Sequence, residues 1–426
     1  MKTMMYQPIP TPDAETSARA LRALLRERHP YAAVEVFHRA LGEVFRIELP
    51  GFKPVFMAGP DAARFVLVEA RDRLLWRSEG DPVTEVLGRG LLVVDGDEHD
   101  RIRAVMNPSL QRGALEGYAG IMQARAAQVT DTWRDGETLD MLAEMRKITL
   151  LVLMDALFDV DFTPELRRLW GPVLGVIRGI SPGLWMVWPG APRLRAARAL
   201  RKLDAYLYRI IAGRRERLAR GGGGDDLLTM LVQAGLPDER IRDHMLTMLI
   251  AGHDTNTALL AWALYLLGSH PDAMWRAVAE VRTGPGDTPY LTRVLKEALR
   301  LYPPIHLGSR VAATDLEYRG YCIPAGERVV YSIYLTGRDP AHWADPGDFR
   351  PERHDQRPAP YTWIPFGGGP RNCIGAGFGM LEAKIVLAHV LQHFNLELTH
   401  RSIRPHMAAT LEPRPGVRMR VHRVRA

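Results

Sequence analysis

The sequence predicts a mainly α protein, with residues 1–426 forming a single large helical domain that has a minor β region. Apolar residues recur at helical spacing almost without interruption from residue 97 to residue 301. The one linker-like run in that stretch, Gly221–Gly224, is short, and Asp225 directly after it can cap a new helix. With 426 residues and 46% hydrophobic composition, the chain can bury a large core without disulfides.

The N-terminal quarter combines helices with a hairpin. Residues 30–43 carry apolar side chains at helical spacing, and apolar runs at 45–49 and 55–58 flank a Pro-Gly turn, which predicts a β-hairpin. A short helix is expected over 61–68. The stretch 71–96 is rich in glycine and has no clean period, so we expect a long functional loop there.

Helical periodicity dominates the middle of the chain, and β-type patterns return after it. Residues 311–336 are β-rich, with a turn expected at 321–326, and 337–372 are irregular. A further helix, 375–394, precedes a β-like C-terminus at 396–424. The helices predicted for the middle of the chain cover residues 97–106, 114–134, 139–158, 164–179, 193–219, 225–234, 238–269, 271–281 and 289–301.

The charge pattern and the hydropathy of the sequence indicate which partners and which cellular compartment to expect. The net charge of +7 is dispersed, without a long basic run interleaved with aromatic residues, so a solvated basic surface or a docking face for an acidic protein partner is expected rather than a nucleic-acid site. The apolar stretch Met245–Leu267 could span a bilayer, but its middle, His253–Thr257, is polar, so a buried helix with a functional patch is predicted instead of a membrane span. Two cysteines and no signal-peptide pattern predict a cytoplasmic protein.

A glycine-rich segment, Phe366–Gly375, holds Cys373 at the start of a predicted helix. A helix N-terminus stabilises a thiolate, so Cys373 is either a nucleophile or a metal ligand. The segment supplies no histidine base, and no further Cys or His lies at the short spacing of a zinc site. A single thiolate suffices for an iron already held by four nitrogens, which is haem-thiolate ligation. Gly369 and Gly375 would then let the backbone approach the porphyrin closely.

This segment resembles the signature of the cytochrome P450 family, Phe-x-x-Gly-x-Arg-x-Cys-x-Gly, and other short motifs match the family in order along nearly the whole chain. The resemblance implies the cytochrome P450 fold, haem b (iron protoporphyrin IX) as the cofactor and Cys373 as the iron ligand. The matching positions are Phe366, Gly369, Arg371, Cys373 and Gly375 in the signature, His99 with Arg103, the segment 251–255, Glu297 with Arg300, and the segment 349–353.

The resemblance also implies roles for the other matching residues. Thr255 would hydrogen-bond bound dioxygen and Asp254 would help to deliver protons, while Ala251 and Gly252 form the groove beside them. A glycine within a helix costs about 1 kcal/mol relative to alanine, and a ligand seated against the helix would explain Gly252. The residues implied to hold the haem propionates are His99, Arg103, Arg310 and Arg371, and those implied to brace the haem-binding segment are Glu297, Arg300 and Arg353.

The implied activity is a haem-thiolate monooxygenase that inserts one oxygen atom from O2 into a hydrophobic small molecule, by hydroxylation or epoxidation of a lipid, terpenoid, steroid or polyketide-like compound. Electrons would come from a ferredoxin or flavodoxin with its reductase, and we expect a monomer. A peroxide-driven peroxygenase and a non-catalytic haem-binding sensor are the alternatives. Neither needs an acid–alcohol pair, so Asp254 and Thr255 argue against both.

Three surfaces are expected to serve these functions. An acidic electron donor should dock on the cysteine side of the protein, and the substrate pocket should be formed by several separate segments. Residues 183–189, with two tryptophans, are expected to form either a hydrophobic lid or part of the core. The candidate docking residues are Arg112, Arg353, Arg371 and Lys384, and the candidate pocket segments are 78–92, 245–255, 304–309 and 407–411.

Overall fold

The computed structural model describes residues 6–49, 51–76, 81–181, 194–283 and 288–424. It confirms a mainly helical protein with a minor β region. Its helices are α1 (Ala14–Glu27), α2 (Pro30–Leu41), α3 (Pro60–Arg64), α4 (Pro82–Leu87), α5 (Gly96–Met106), α6 (Arg112–Thr130), α7 (Met141–Phe158), α8 (Leu166–Ile180), α9 (Leu194–Ala219), α10 (Leu227–Gln233), α11 (Asp238–Ser269), α12 (Pro271–Arg282), α13 (Pro289–Leu301), α14 (Ile333–Thr336) and α15 (Ala376–His393).

The strands of the described residues are short. They are β1 (Val44–Arg46), β2 (Val55–Met57), β3 (Leu74–Leu75), β4 (Thr138–Asp140), β5 (Leu307–Ala312), β6 (Leu316–Tyr318), β7 (Tyr321–Ile323), β8 (Arg328–Ser332), β9 (Phe394–Leu398), β10 (Arg404–Met407), β11 (Leu411–Arg414) and β12 (Arg418–Arg423). Within the described residues they form four small sheets. The largest has the order β1-β2-β8-β5-β3, in which the β2–β8 pair is parallel and the other pairs are antiparallel. The others are β4-β12-β9, β6-β7 and β10-β11, all antiparallel.

Helix α11 runs through the centre of the protein and is buried along most of its 32 residues. It packs against α7, α9, α13 and α15, and most residues of α7 are themselves buried. Near the C-terminal end of α11, the fully buried Trp262 stacks on Tyr302 and donates its indole N–H to the carbonyl of Leu411 at 2.7 Å. Because of this packing, the polar centre of α11 faces protein and a cavity.

The structure corrects three local predictions and adds one helix that was not predicted. Asp226 rather than Asp225 caps α10, since the Asp226 carboxylate accepts the backbone N–H of Thr229 at 3.1 Å. The stretch 71–96 contains β3 and α4 instead of being a continuous loop. The segment expected as a turn at 321–326 begins with β7, which pairs with β6. Helix α1 was not predicted, although Asp13 caps it by accepting the N–H of Thr16 at 2.7 Å.

No helix within the described part of the chain is long and apolar enough to cross a membrane. The stretch Met245–Leu267 that raised the question lies inside α11. The two tryptophans of residues 183–189 lie outside the described residues, so the prediction of a lid or core segment stays a prediction.

Candidate active site

A cavity of about 770 Å³ lies against the middle of α11. Its walls are mostly apolar and come from α2, α4, α11, β5, β8, the segment 304–309 and the segment 407–410. All four segments predicted to form the substrate pocket contribute lining residues, the first of them through residues 81–92. An enclosed apolar space with a few polar groups is typical of a small-molecule site.

Cys373 faces this cavity from the loop before α15. The loop is closed by two backbone hydrogen bonds, from Cys373 N to the carbonyl of Phe366 at 2.8 Å and from Asn372 N to the carbonyl of Gly369 at 3.1 Å. The Cys373 residue is exposed to the cavity, whereas protein surrounds it on its other sides. That burial raises the pKa of the thiol, although the Gly375 N–H and the Arg103 guanidinium oppose the shift. The thiol can therefore be reached from the cavity.

The four predicted propionate residues all line the same cavity. Arg103 donates to the backbone carbonyl and the side-chain amide oxygen of Asn372, at 2.8 and 2.9 Å. Arg371 binds Asp95 at 2.6 Å and also the carbonyl of Val94, and burial lowers the Arg371 pKa to about 10. His99 is buried beside Asp100, with its Nδ1 2.7 Å from a carboxylate oxygen, and burial lowers its pKa.

Arg310 is the most informative of the four. It is 5% exposed, and its guanidinium lies over the rings of Trp76 and Tyr331, at 4.4 and 5.4 Å from their centroids. The guanidinium donates a hydrogen bond to the carbonyl of Ser309, and within the described ranges no carboxylate forms an ion pair with it. A buried cation without an anion is costly, so this wall of the cavity is built to receive a negatively charged ligand group.

Contacts with protein bear on the predicted glycines at two positions. A Cβ at Gly252 would collide with a terminal methyl group of Leu153 on α7, so the close approach of the two helices also favours glycine there. Gly369 has φ +63°, and a Cβ there would lie 2.5 Å from the carbonyl oxygen of Leu67, so protein packing again requires glycine. At Gly375 a Cβ would meet no protein atom within 4 Å.

Asp254 and Thr255 on α11 form hydrogen bonds with different partners. Both residues line the cavity. The Thr255 hydroxyl donates to the carbonyl of Ala251 at 2.7 Å, one turn earlier. The buried Asp254 carboxylate accepts from Arg146 at 2.9 Å and from the Thr410 hydroxyl at 2.8 Å. Burial raises the Asp254 pKa to about 6, although the positive charge of Arg146 opposes this.

Two further polar groups beside the cavity were not predicted. Asn256, the next residue on α11, lines the cavity and donates its amide N–H to Glu382 on α15 and to the carbonyl of Gly379. Burial raises the pKa of Glu382 to about 8. The buried His306 bonds to the Tyr31 hydroxyl, and both of these side chains line the cavity. The signals available in the sequence were the polar run His253–Thr257, which includes Asn256, and the predicted pocket segment 304–309, which includes His306.

Glu297 and Arg300 form a bidentate ion pair within α13, with both hydrogen bonds at 2.8 Å and both side chains fully buried. Arg300 also donates to backbone carbonyls of the irregular segment after α14, and Glu297 accepts the N–H of Arg350. Arg353 approaches Glu297 at 3.3 Å, and His354 bonds to it at 3.1 Å. The cluster therefore ties α13 to the segment that leads into the cysteine loop.

The predicted docking residues differ in accessibility. The prediction that Arg371 and Arg353 are surface residues for docking is wrong. Their side chains are only 9% and 11% exposed, and they form ion pairs with Asp95 and Glu297, respectively. Arg112, the first residue of α6, is exposed, and α6 packs against α15 directly after the cysteine loop. Lys384 is half-buried on α15. Arg112 is thus the strongest of the four candidates for a docking contact.

The residues present at the cavity fit a haem. One thiol faces the cavity, the walls are mostly apolar, and among the described residues no carboxylate pairs with the buried Arg310, which a haem carboxylate would do. Within the described ranges, no cluster of three or more His, Cys, Asp or Glu side chains could hold a metal ion directly. A single thiolate with a porphyrin is a ligand set that needs no such cluster. The lining of the cavity therefore fits a haem-thiolate site.

Comparisons with known proteins agree with this class. The family model described as Cytochrome P450 matches residues 20–418, so the chain belongs to the cytochrome P450 family, whose members are monooxygenases that bind haem. The chain is 37% identical over 349 residues to candidate cytochrome P450 137 of Mycobacterium tuberculosis, covering 77% of this chain and 71% of that protein. It is 32% identical over 438 residues to candidate cytochrome P450 135B1 of Mycobacterium bovis, covering 95% and 90%.

Proposed function

We propose that this P450 binds haem b through Cys373 and oxidises an apolar small molecule, with electrons from a ferredoxin or a flavodoxin and its reductase. The observation that carries the proposal is that Cys373, Thr255 and the buried Arg310 all line one mainly apolar cavity. The bound haem would supply the oxygen-activating chemistry. We further propose that residues 1–426 act as one domain in a cytoplasmic monomer.

The protein's own groups have separate tasks in this proposal. Arg310, Arg371, Arg103 and His99 would bind the haem carboxylates, because they place positive or hydrogen-bonding groups on one wall of the cavity. The apolar walls would exclude water and hold the substrate by burial. Five further residues would shape the backbone around the haem, and two of them, Gly252 and Gly369, would also do so through helix and loop packing. The five are Ala251, Gly252, Phe366, Gly369 and Gly375.

Proton delivery falls to the polar centre of α11. Thr255 lines the cavity and donates its hydroxyl to the carbonyl of Ala251, so the hydroxyl could hold or pass a proton in the cavity after turning from that carbonyl. Asp254 would supply the proton, because a carboxyl whose pKa lies near 6 is present in both protonation states close to neutral pH. The peroxygenase and sensor alternatives leave this pair without a task.

Replacement of the two cysteines tests the proposal. Cys373→Ser should abolish the red-shifted Soret band that thiolate ligation gives the ferrous carbonyl complex, while Cys322→Ser should keep it. Cys322 is the matched control because it lies on β7, outside the cavity lining. Retention of the band in the Cys373→Ser variant would show that the ligand assignment is wrong. Turnover with O2 and a ferredoxin, compared with peroxide alone, then separates the monooxygenase from the peroxygenase and the sensor.

A further inference from the structure

The carboxylate of Asp254 belongs to a buried group of four side chains from three separate parts of the chain. Arg146 on α7 donates to Asp254 at 2.9 Å and also to Glu412 on β11. Thr410, just before β11, donates its hydroxyl to the second oxygen of Asp254 at 2.8 Å. All four residues are at most 9% exposed. The group therefore connects α7, α11 and the β10–β11 hairpin beneath the cavity.

The charges of this group do not balance when every member is ionised. Arg146 is the one cation, and Asp254 and Glu412 are two carboxylates that share it. Neighbouring His253 is fully buried, and burial lowers its pKa to about 3, so it stays neutral. His406 on β10, near Glu412, also has its pKa lowered by burial. A buried site with one excess negative charge is stabilised by binding one proton.

The position of the group gives that proton a route to the cavity. Asp254, Thr410 and the neighbouring Ala408 and Ala409 line the cavity, whereas Arg146 and Glu412 lie behind them. The side chain that touches the proposed reaction space is thus Asp254, with Thr410 beside it. Arg146 and Glu412 can influence the reaction only through the carboxylate of Asp254.

We propose that Arg146 is a positioning residue that orients Asp254 toward the cavity, and that Asp254 and Glu412 together hold one exchangeable proton. When the proton leaves Asp254 for an acceptor in the cavity, Arg146 stabilises the carboxylate that remains, and a proton from solvent restores the group through Glu412. The delivery step rests on the proposed function, whereas the shared proton and the positioning do not.

Infrared difference titration of the resting holoprotein, with isotope-labelled aspartate and glutamate carboxyls, tests the shared proton without turnover. Glu412→Gln removes a neighbouring negative charge, so the Asp254 carboxyl should titrate at least about one pH unit lower than in the wild type. Arg146→Met removes the positive charge and should move the same titration upward. Glu397→Gln, an exposed position on β9, is the control and should leave it unchanged.

Equal titration of Asp254 in wild type and Glu412→Gln would overturn the shared proton. Glu412→Gln preserves side-chain size, so this test stands even where Arg146→Met fails to fold. The delivery step is tested separately by the pH profile of coupling, measured as product formed per electron pair consumed. That profile should shift downward in Glu412→Gln by the same interval as the infrared titration. If the infrared titration shifts in Glu412→Gln but the pH profile of coupling does not, the delivery step is overturned while the shared proton stands.

Discussion

Replacing Glu297 with glutamine should destabilise the protein far more than a similar change at the surface. Glu297 is fully buried and neutralises Arg300, which is also fully buried, through two 2.8 Å hydrogen bonds. Glutamine keeps the size of the side chain but removes its charge. Arg300 would then remain a buried cation, and breaking a buried pair in this way costs about 3–5 kcal/mol.

The protonation equilibrium of Glu297 gives a second measure of the same interaction. Its pKa falls from 4.5 to about 2, because the hydrogen bonds from Arg300 and His354 outweigh burial. Such a depression corresponds to about 3 kcal/mol of stabilisation. Since the folded pKa is below the unfolded one, this contribution is complete above about pH 4.5 and is lost as the pH falls toward 2.

Thermal unfolding of holoprotein at equal haem loading measures the effect. An unfolding entropy of about 2.1 cal/mol/K per residue gives roughly 1 °C per kcal/mol for a chain of 426 residues. We therefore expect Glu297→Gln to lower the midpoint by about 3–6 °C at pH 7. Glu352→Gln breaks an exposed pair with Arg276 and should lower it by less than about 1 °C. Equal effects of the two substitutions would refute the reasoning.

Three further predictions concern α11 and the surface. Thr255→Ala should keep haem and substrate binding but release peroxide instead of product, and unchanged coupling would contradict its role. Arg112→Glu should slow reduction by an acidic ferredoxin at low salt, with the difference vanishing at high salt, whereas the exposed Arg220→Glu should not. Gly252→Val should cost about 1–3 kcal/mol in urea unfolding by overpacking against Leu153, and equal stability would contradict the packing argument.

The elements that the sequence predicted well are those whose signals are local. The predicted range 238–269 coincides with α11, because apolar periodicity runs along the whole helix and a proline stands directly before its first residue. The segment around Cys373 was located by its glycines and by the helix that follows. In both cases the residues that determine the structure are neighbours along the chain, so spacing alone carries the information.

The features that could not be predicted from the sequence depend on contacts between residues that lie far apart along the chain. Arg146 is 108 positions from Asp254 and 266 positions from Glu412, and no local pattern singles out any of these contacts. Gly252 was assigned to a ligand because its conflict with Leu153 becomes visible only once α7 is placed beside α11. Likewise, Arg371 and Arg353 were predicted to be surface cations, because their acidic partners can be identified only in the folded structure.

The polar centre of α11 shows why five consecutive polar residues can be buried together. Successive side chains on a helix differ in direction by about 100°, so these residues are distributed among several neighbouring elements. Asp254 reaches the β10–β11 hairpin and α7, Thr257 bonds to Thr149 on α7 at 2.8 Å, and Asn256 reaches α15. Thr255 is left facing the cavity. Helix α15 follows the cysteine loop directly and packs against α11. A displacement of α11 toward α7 would therefore alter both the hydrogen bonds of Asp254 and the position of the cysteine loop. Substitutions at Thr149 should therefore affect proton delivery even though Thr149 does not line the cavity.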